Sequence, residues 1–134
     1  MKRHIVWPAA KADAARLYLR YVIRVLDEVK ISFGQGPNDP FEIARHYVEG
    51  RILLQDMQLA ADEWRTLFYR FNGFQNPGDK DVLEIRLALA LLSLDGVDDF
   101  NEALSWFDIL LEKFGVDPRS IRRLMDDYFN FSST

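Results

Sequence analysis

Lys80-Asp81-Val82-Leu83-Glu84-Ile85-Arg86-Leu87-Ala88-Leu89-Ala90-Leu91-Leu92-Ser93-Leu94 is the stretch on which the fold turns. A run this apolar suits either a buried strand or a buried helix. Its length, its leucine content and its shortage of β-branched residues decide for helix. The apolar side chains surround nearly the whole circumference, which marks the buried centre of a helical bundle. Turn chemistry brackets the run. Asn72-Gly73-Phe74-Gln75-Asn76-Pro77-Gly78-Asp79 precedes it and Asp95-Gly96-Val97-Asp98 follows.

The same periodicity continues outward in both directions. Residues 9–33 read as one long helix, with Leu19, Val22, Leu26, Val29 and Phe33 in one stripe that Tyr18 and Val25 widen. Gly34-Gln35-Gly36-Pro37-Asn38 ends it. Asp39-Pro40-Phe41-Glu42 has the spacing of a helix start, with Asp39 as cap and Pro40 in the first turn, and predicts a short helix over 40–49 closed by Gly50. A helix over 53–71 follows, with Met57, Ala60, Ala61, Trp64, Leu67, Phe68 and Phe71 on one face. Helices are also predicted over 99–114, closed by Gly115, and over 118–129, opened by Asp117-Pro118. No strand candidate survives, and the polar tail from Ser132 is expected to fray. The expectation is an all-α fold: a single domain over 1–134, folded as an irregular bundle of five to six helices. The helix lengths differ too much for a regular four-helix bundle.

Composition bounds the chemistry. A chain of 134 residues and 15.7 kDa is one domain's worth of protein, able to bury roughly 68% of its unfolded surface. It has no cysteine, which removes disulfides, thiolate zinc sites and cysteine nucleophiles. His4 and His46 are its only histidines. The apolar run Ile5–Ala10 is shorter than a secretory signal needs, and the run Leu87–Leu92 is far too short to span a bilayer, so a cytoplasmic protein without membrane contact is expected. Net charge is −4. Residues 1–34 carry an excess of positive charge, whereas in 79–112 only Lys80 and Arg86 oppose nine carboxylates. An acidic second half argues against nucleic-acid binding and suits a basic partner.

Four constellations invite a functional reading. Arg16, Arg20 and Arg24 share one helix face; a solvated face opposite the buried stripe is the favoured reading over a phosphate grip. Asp95, Asp98, Asp99 and Glu102 form an acidic cluster. Gly96 is wrongly placed for a calcium loop, so Asp98 is expected to cap the following helix while Asp99 and Glu102 complement its positive end. A capping aspartate leaves its neighbours in water, where they can attract a basic partner. Glu42, His46 and Glu49 lack the second histidine of a metal site and read as a helix histidine beside a carboxylate, with no metal and no cofactor expected. Phe74, in a glycine-proline loop, either plugs the core or waits for a partner, and plugging is favoured.

Catalysis lacks parts. Ser93 and Ser105 sit inside apolar helices, where hydroxyls bond to their own backbone, and Asp126 and Asp127 are adjacent and diverge on a helix. No nucleophile elbow or phosphate-binding glycine pattern occurs, so the chain is not expected to be an enzyme.

Tyr47-Val48-Glu49-Gly50-Arg51-Ile52, leading into Asp56 and Trp64, is similar to the opening of some colicin D-type self-protection proteins. The whole pattern resembles the small, acidic, all-helical immunity proteins that bacteria carry against their own bacteriocin or contact-dependent inhibition toxins. The resemblance implies a partner, a cognate protein toxin with a basic nucleic-acid-binding surface, and a mechanism, occlusion of that surface by an acidic face. Asp95, Asp98, Asp99 and Glu102, with Glu84 and Asp108 at the margin, are the expected face, and buried aromatics such as Phe74 are expected to supply affinity. The competing reading is a helical regulatory or scaffold module acting through protein contacts, as a homodimer paired along helix 9–33.

Overall fold

The computed structural model describes residues 3–33, 36–76 and 78–133, and within these the side chains of Arg3, Asp95 and Ser133 are left out. Six α-helices carry the described fold: α1 (Lys11–Glu28), α2 (Pro40–Val48), α3 (Leu54–Arg70), α4 (Lys80–Leu92), α5 (Phe100–Lys113) and α6 (Pro118–Tyr128), with one 3₁₀ turn at Leu94–Gly96. The bundle is all-α and irregular, as its pattern predicts. α4 packs on α1, α2, α3 and α5, and α1 packs on α2, α4, α5 and α6. Leu87, Ala88, Leu91 and Leu92 of α4 meet Leu19, Val22, Val25 and Leu26 of α1 in a core where each of them is fully buried. A Leu-to-Ala truncation at any of these leucines removes packed methyl groups that the neighbouring helices cannot easily replace, at a cost of about 2–5 kcal/mol.

The helix starts follow the aspartates. Asp39, Asp79 and Asp117 each accept from backbone N–H groups of the first turn of α2, α4 and α6, and Pro40 and Pro118 occupy first-turn positions where no donor is missed. α3 starts differently. The Asp56 carboxylate reaches back to accept from the Leu53 N–H at 2.8 Å.

The helix stops explain the one large boundary difference. The helix predicted over 9–33 ends at Glu28. Lys30 takes the left-handed conformation, with φ of 60°, its N–H bonds to Asp27 O, and Ile31 N–H bonds back to Leu26 O at 3.1 Å. This paired closure is a Schellman motif. It turns Ile31 and Phe33 back into the core, where Phe33 packs on Phe41 and Trp64 at ring separations of 5.3 and 5.8 Å. The same closure ends α2 at Gly50, α3 at Asn72 and α5 at Gly115. Lysine in this position gives no sequence signal, so periodicity alone runs past the true end.

Two further expectations are corrected at the chain ends. β1 (Arg3–Ile5) and β2 (Phe131–Ser133) pair antiparallel, with His4 opposite Ser132, and Val6 N–H extends the ladder to Asn130 O at 2.9 Å. The tail from Ser132 is therefore tied down through Ser133, and a small strand pair exists where none was expected. Trp7 fastens the same end. Its ring sits against Phe100 and Phe129 at 5.5 and 5.3 Å, and its indole N–H donates to Asn101 Oδ1. The Tyr128 hydroxyl donates to Leu17 O, joining α6 to α1.

Because Lys30 is exposed and left-handed, Lys30→Gly relieves the Cβ strain without removing a contact in the core. We expect a stabilisation of about 0.5–1 kcal/mol, read as a higher urea midpoint; Lys30→Val should lower it.

Candidate functional site

α4 and α5 meet along two matching stripes. Arg86, Leu89 and Ala90 of α4 and its C-cap Ser93 recur at i, i+3, i+4 and i+7, and Ala103, Trp106, Phe107 and Leu110 do the same on α5. Between them lies an open groove of about 350 Å³, closed by Phe68 from α3 and Tyr18 from α1. The walls are mostly carbon. α3 and α5 flank α4, and the groove is where α4's apolar surface remains incompletely covered.

The Phe68 wall of the groove is backed by further rings outside it. Phe74 leaves the 72–79 turn and meets the Phe68 ring edge-on at 4.9 Å and the Tyr69 ring at 5.8 Å. It is 75% exposed. The expectation that Phe74 plugs the core is thus overturned. Gly73 lies flat against the Phe68 ring, and a Cβ there would overlap it. That close approach fills the space beneath the turn and leaves the Phe74 ring outside. On the α5 side the groove is bordered by Trp106, 57% exposed, and Ile109 is exposed on the same helix.

Trp106, Ala103 and Val97 also line a second hollow of about 270 Å³, whose remaining wall is Gly96, Asp98, Asp99 and Glu102. Three of the acidic residues expected to face a partner therefore share one hollow, and that hollow adjoins the groove. The side chain of Asp95 lies outside the described residues. The capping roles are corrected. Asp99, not Asp98, is the α5 cap, accepting from Asn101 N–H at 2.9 Å and Glu102 N–H at 3.4 Å. Asp98 is free of that role and exposed. With consecutive aspartates, a shift of one residue in the helix start exchanges cap and neighbour.

The two marginal residues lie elsewhere. Glu84 belongs to the opposite end of α4, nine residues and about 13 Å of helix rise from Ser93. Burial, then Asp81, pushes its carboxyl up, against Lys80, which lowers it. Asp108 points away from the acidic hollow, into the seam between α5 and α6, where it borders one hollow with Glu112 and Arg122 and another with His4 and Phe131. Its Oδ1 is buried without a hydrogen-bond partner among the described residues, as is the Tyr21 hydroxyl. Burial, reinforced by Glu112, pushes the Asp108 carboxyl up to about 6. Burial first and Asp108 second also raise the hydroxyls of Tyr18 and Tyr21.

The remaining constellations make contacts within the fold. Arg16 stacks over the Tyr47 ring at 5.7 Å, and Arg20 donates to the Val48 carbonyl at the end of α2. The arginine stripe is thus partly used to hold α2 on α1 rather than being wholly solvated. His46 Nε2 is 3.9 Å from Glu42, whereas Glu49 turns to Arg51 at 3.0 Å. Ser105 bonds to Asn101 O as expected, but the Ser93 hydroxyl accepts from Arg65 at 3.2 Å. Among the described residues no group of three His, Cys, Asp or Glu could hold a metal ion, and no helix is long and apolar enough to cross a membrane. The Tyr47–Ile52 step that carries the immunity-protein resemblance is the closure of α2 around Gly50.

No protein-family model, curated protein or solved structure matches the chain.

The raised carboxyl gives a pH dependence with a definite sign. Folded Asp108 holds its proton up to about 6, against 3.8 for the free group, so the folded state gains stability as pH falls through that interval and is penalised above it. Asp108→Asn imitates the protonated form. It should stabilise the protein at pH 7 by about 1 kcal/mol, less than the bare shift implies because the group is partly solvated, and the gain should vanish near pH 4. An equal gain in urea melts at both pH values would refute the assignment.

Proposed function

We propose that this chain is a binding protein that captures a basic protein partner on the face made by Asp98, Asp99, Glu102, Trp106 and Phe74, and that the partner is a bacterial nuclease toxin that it neutralises. The observation that carries the reading is the sharing of Trp106 between an apolar groove and an acidic hollow. An exposed indole bordered by both carbon and carboxylates has the anatomy of a hot spot with a charged rim. The carboxylates speed and orient the encounter, and the aromatic rings supply affinity once water is displaced. A basic nuclease covered in this way loses the surface that holds its nucleic acid.

The homodimer reading has less support. Leu19, Val22 and Leu26, the stripe that would pair α1 with a second copy, are fully buried within the fold.

The test is affinity capture of the tagged chain co-expressed with the products of neighbouring genes. A stoichiometric basic partner, toxic when expressed alone, is the expected result, and a partner-free monomer would defeat the reading. Once a partner is in hand, Asp98→Lys with Glu102→Lys should slow association at least tenfold at low salt and flatten its salt dependence. Asp99 is left intact in that variant to keep the α5 cap. Phe74→Ser should weaken the complex by about 1–2 kcal/mol while moving the melting temperature little, since the ring is mostly in water.

A further inference from the structure

Arg86 is the one charged residue lining the groove between α4 and α5. It is half-buried, and its helix neighbours one turn away are Val82, Leu83, Leu89 and Ala90, none of them a carboxylate. No ion pair to it occurs among the described residues; the pairs there involve Arg45, His46, Arg51 and Arg65. A guanidinium stays charged at any ordinary pH. Held at a carbon-lined wall without a counter-ion among the described residues, it is an attractor for an anion that brings its own apolar body.

The other end of the groove differs. Ser93, about 10 Å of helix rise from Arg86, accepts from Arg65, a guanidinium already paired with Asp62, and beyond it Val97 leads into the hollow of Asp98, Asp99 and Glu102. An occupant with one negative end is therefore oriented, with its head at Arg86 and its tail toward Trp106. The volume of about 350 Å³ lies within the range of small-ligand sites.

We propose that the groove binds a small alkyl or aryl monocarboxylate, its carboxylate paired with the Arg86 guanidinium and its apolar body laid along Leu89, Ala90, Phe107 and Leu110 against the Trp106 indole. This does not rest on the toxin reading. It requires only the purified chain.

Decanoate and decylammonium, which share a chain and differ in the sign of the head group, are titrated into the full chain while tryptophan emission is followed. Trp106→Phe serves as the control, because Trp64 is buried and Trp7 is packed against the chain ends. Decanoate should shift the Trp106 emission to the blue, saturably, and bind about tenfold tighter than decylammonium, the value of one charge-assisted contact. Arg86→Gln should abolish that preference with the melting temperature unchanged. If Arg86→Gln fails to fold, Arg86→Lys should keep the preference in weakened form. Equal affinity for both head groups, a preference for decylammonium, or no saturable shift in millimolar decanoate would each overturn the proposal.

Discussion

A helix that is apolar on nearly every side cannot rest against one neighbour. α4 must be covered from all directions, and the arrangement of α1, α2, α3 and α5 around it follows from that need. Its buried residues spread around the axis instead of forming one stripe, whereas the surrounding helices each present a single apolar face. The groove follows from the same constraint. Cover from α3 and α5 is incomplete along Arg86, Leu89, Ala90 and Ser93, and the exposed carbon there is what makes a binding surface.

Much of the fold is legible in the residues because local signals and burial agree. Asp-Pro pairs start α2 and α6 where capping predicts, and Gly50 and Gly115 end helices where a left-handed residue is needed. Agreement fails at Lys30, where tertiary packing of Ile31 and Phe33 forces the left-handed conformation on a residue that does not advertise it. It fails again at the strand pair, because two three-residue segments at opposite ends of the chain show no periodicity until they are placed together.

The candidate site is legible in part. The acidic cluster is visible as composition, and three of its members do share one hollow. The groove beside it is not visible, since Phe68, Arg86 and Trp106 come from three helices and only packing brings them together. Arg86 counts as one charge in the sequence; its place in a mostly carbon wall, without an ion pair among the described residues, is a property of the assembled fold. Asp108 shows the reverse error. It reads as a surface acid, yet the α5–α6 seam draws it partly out of water and leaves one of its oxygens unpaired among the described residues.

The β1–β2 ladder closes a loop made of nearly the entire chain. Contacts at that separation carry the largest closure entropy and add only a few backbone bonds in return. The helical pairs α3–α4 and α1–α2 are close in sequence and hold the bulk of the core. The order of assembly follows, with local helix pairs forming first and the terminal ladder last. The same hierarchy governs opening in the native state. The ladder separates and recloses while the bundle stays intact, so the amide protons of Val6, His4 and Ser132, which the antiparallel alternation turns into the ladder, exchange through a local route and those of α4 only through unfolding of the whole.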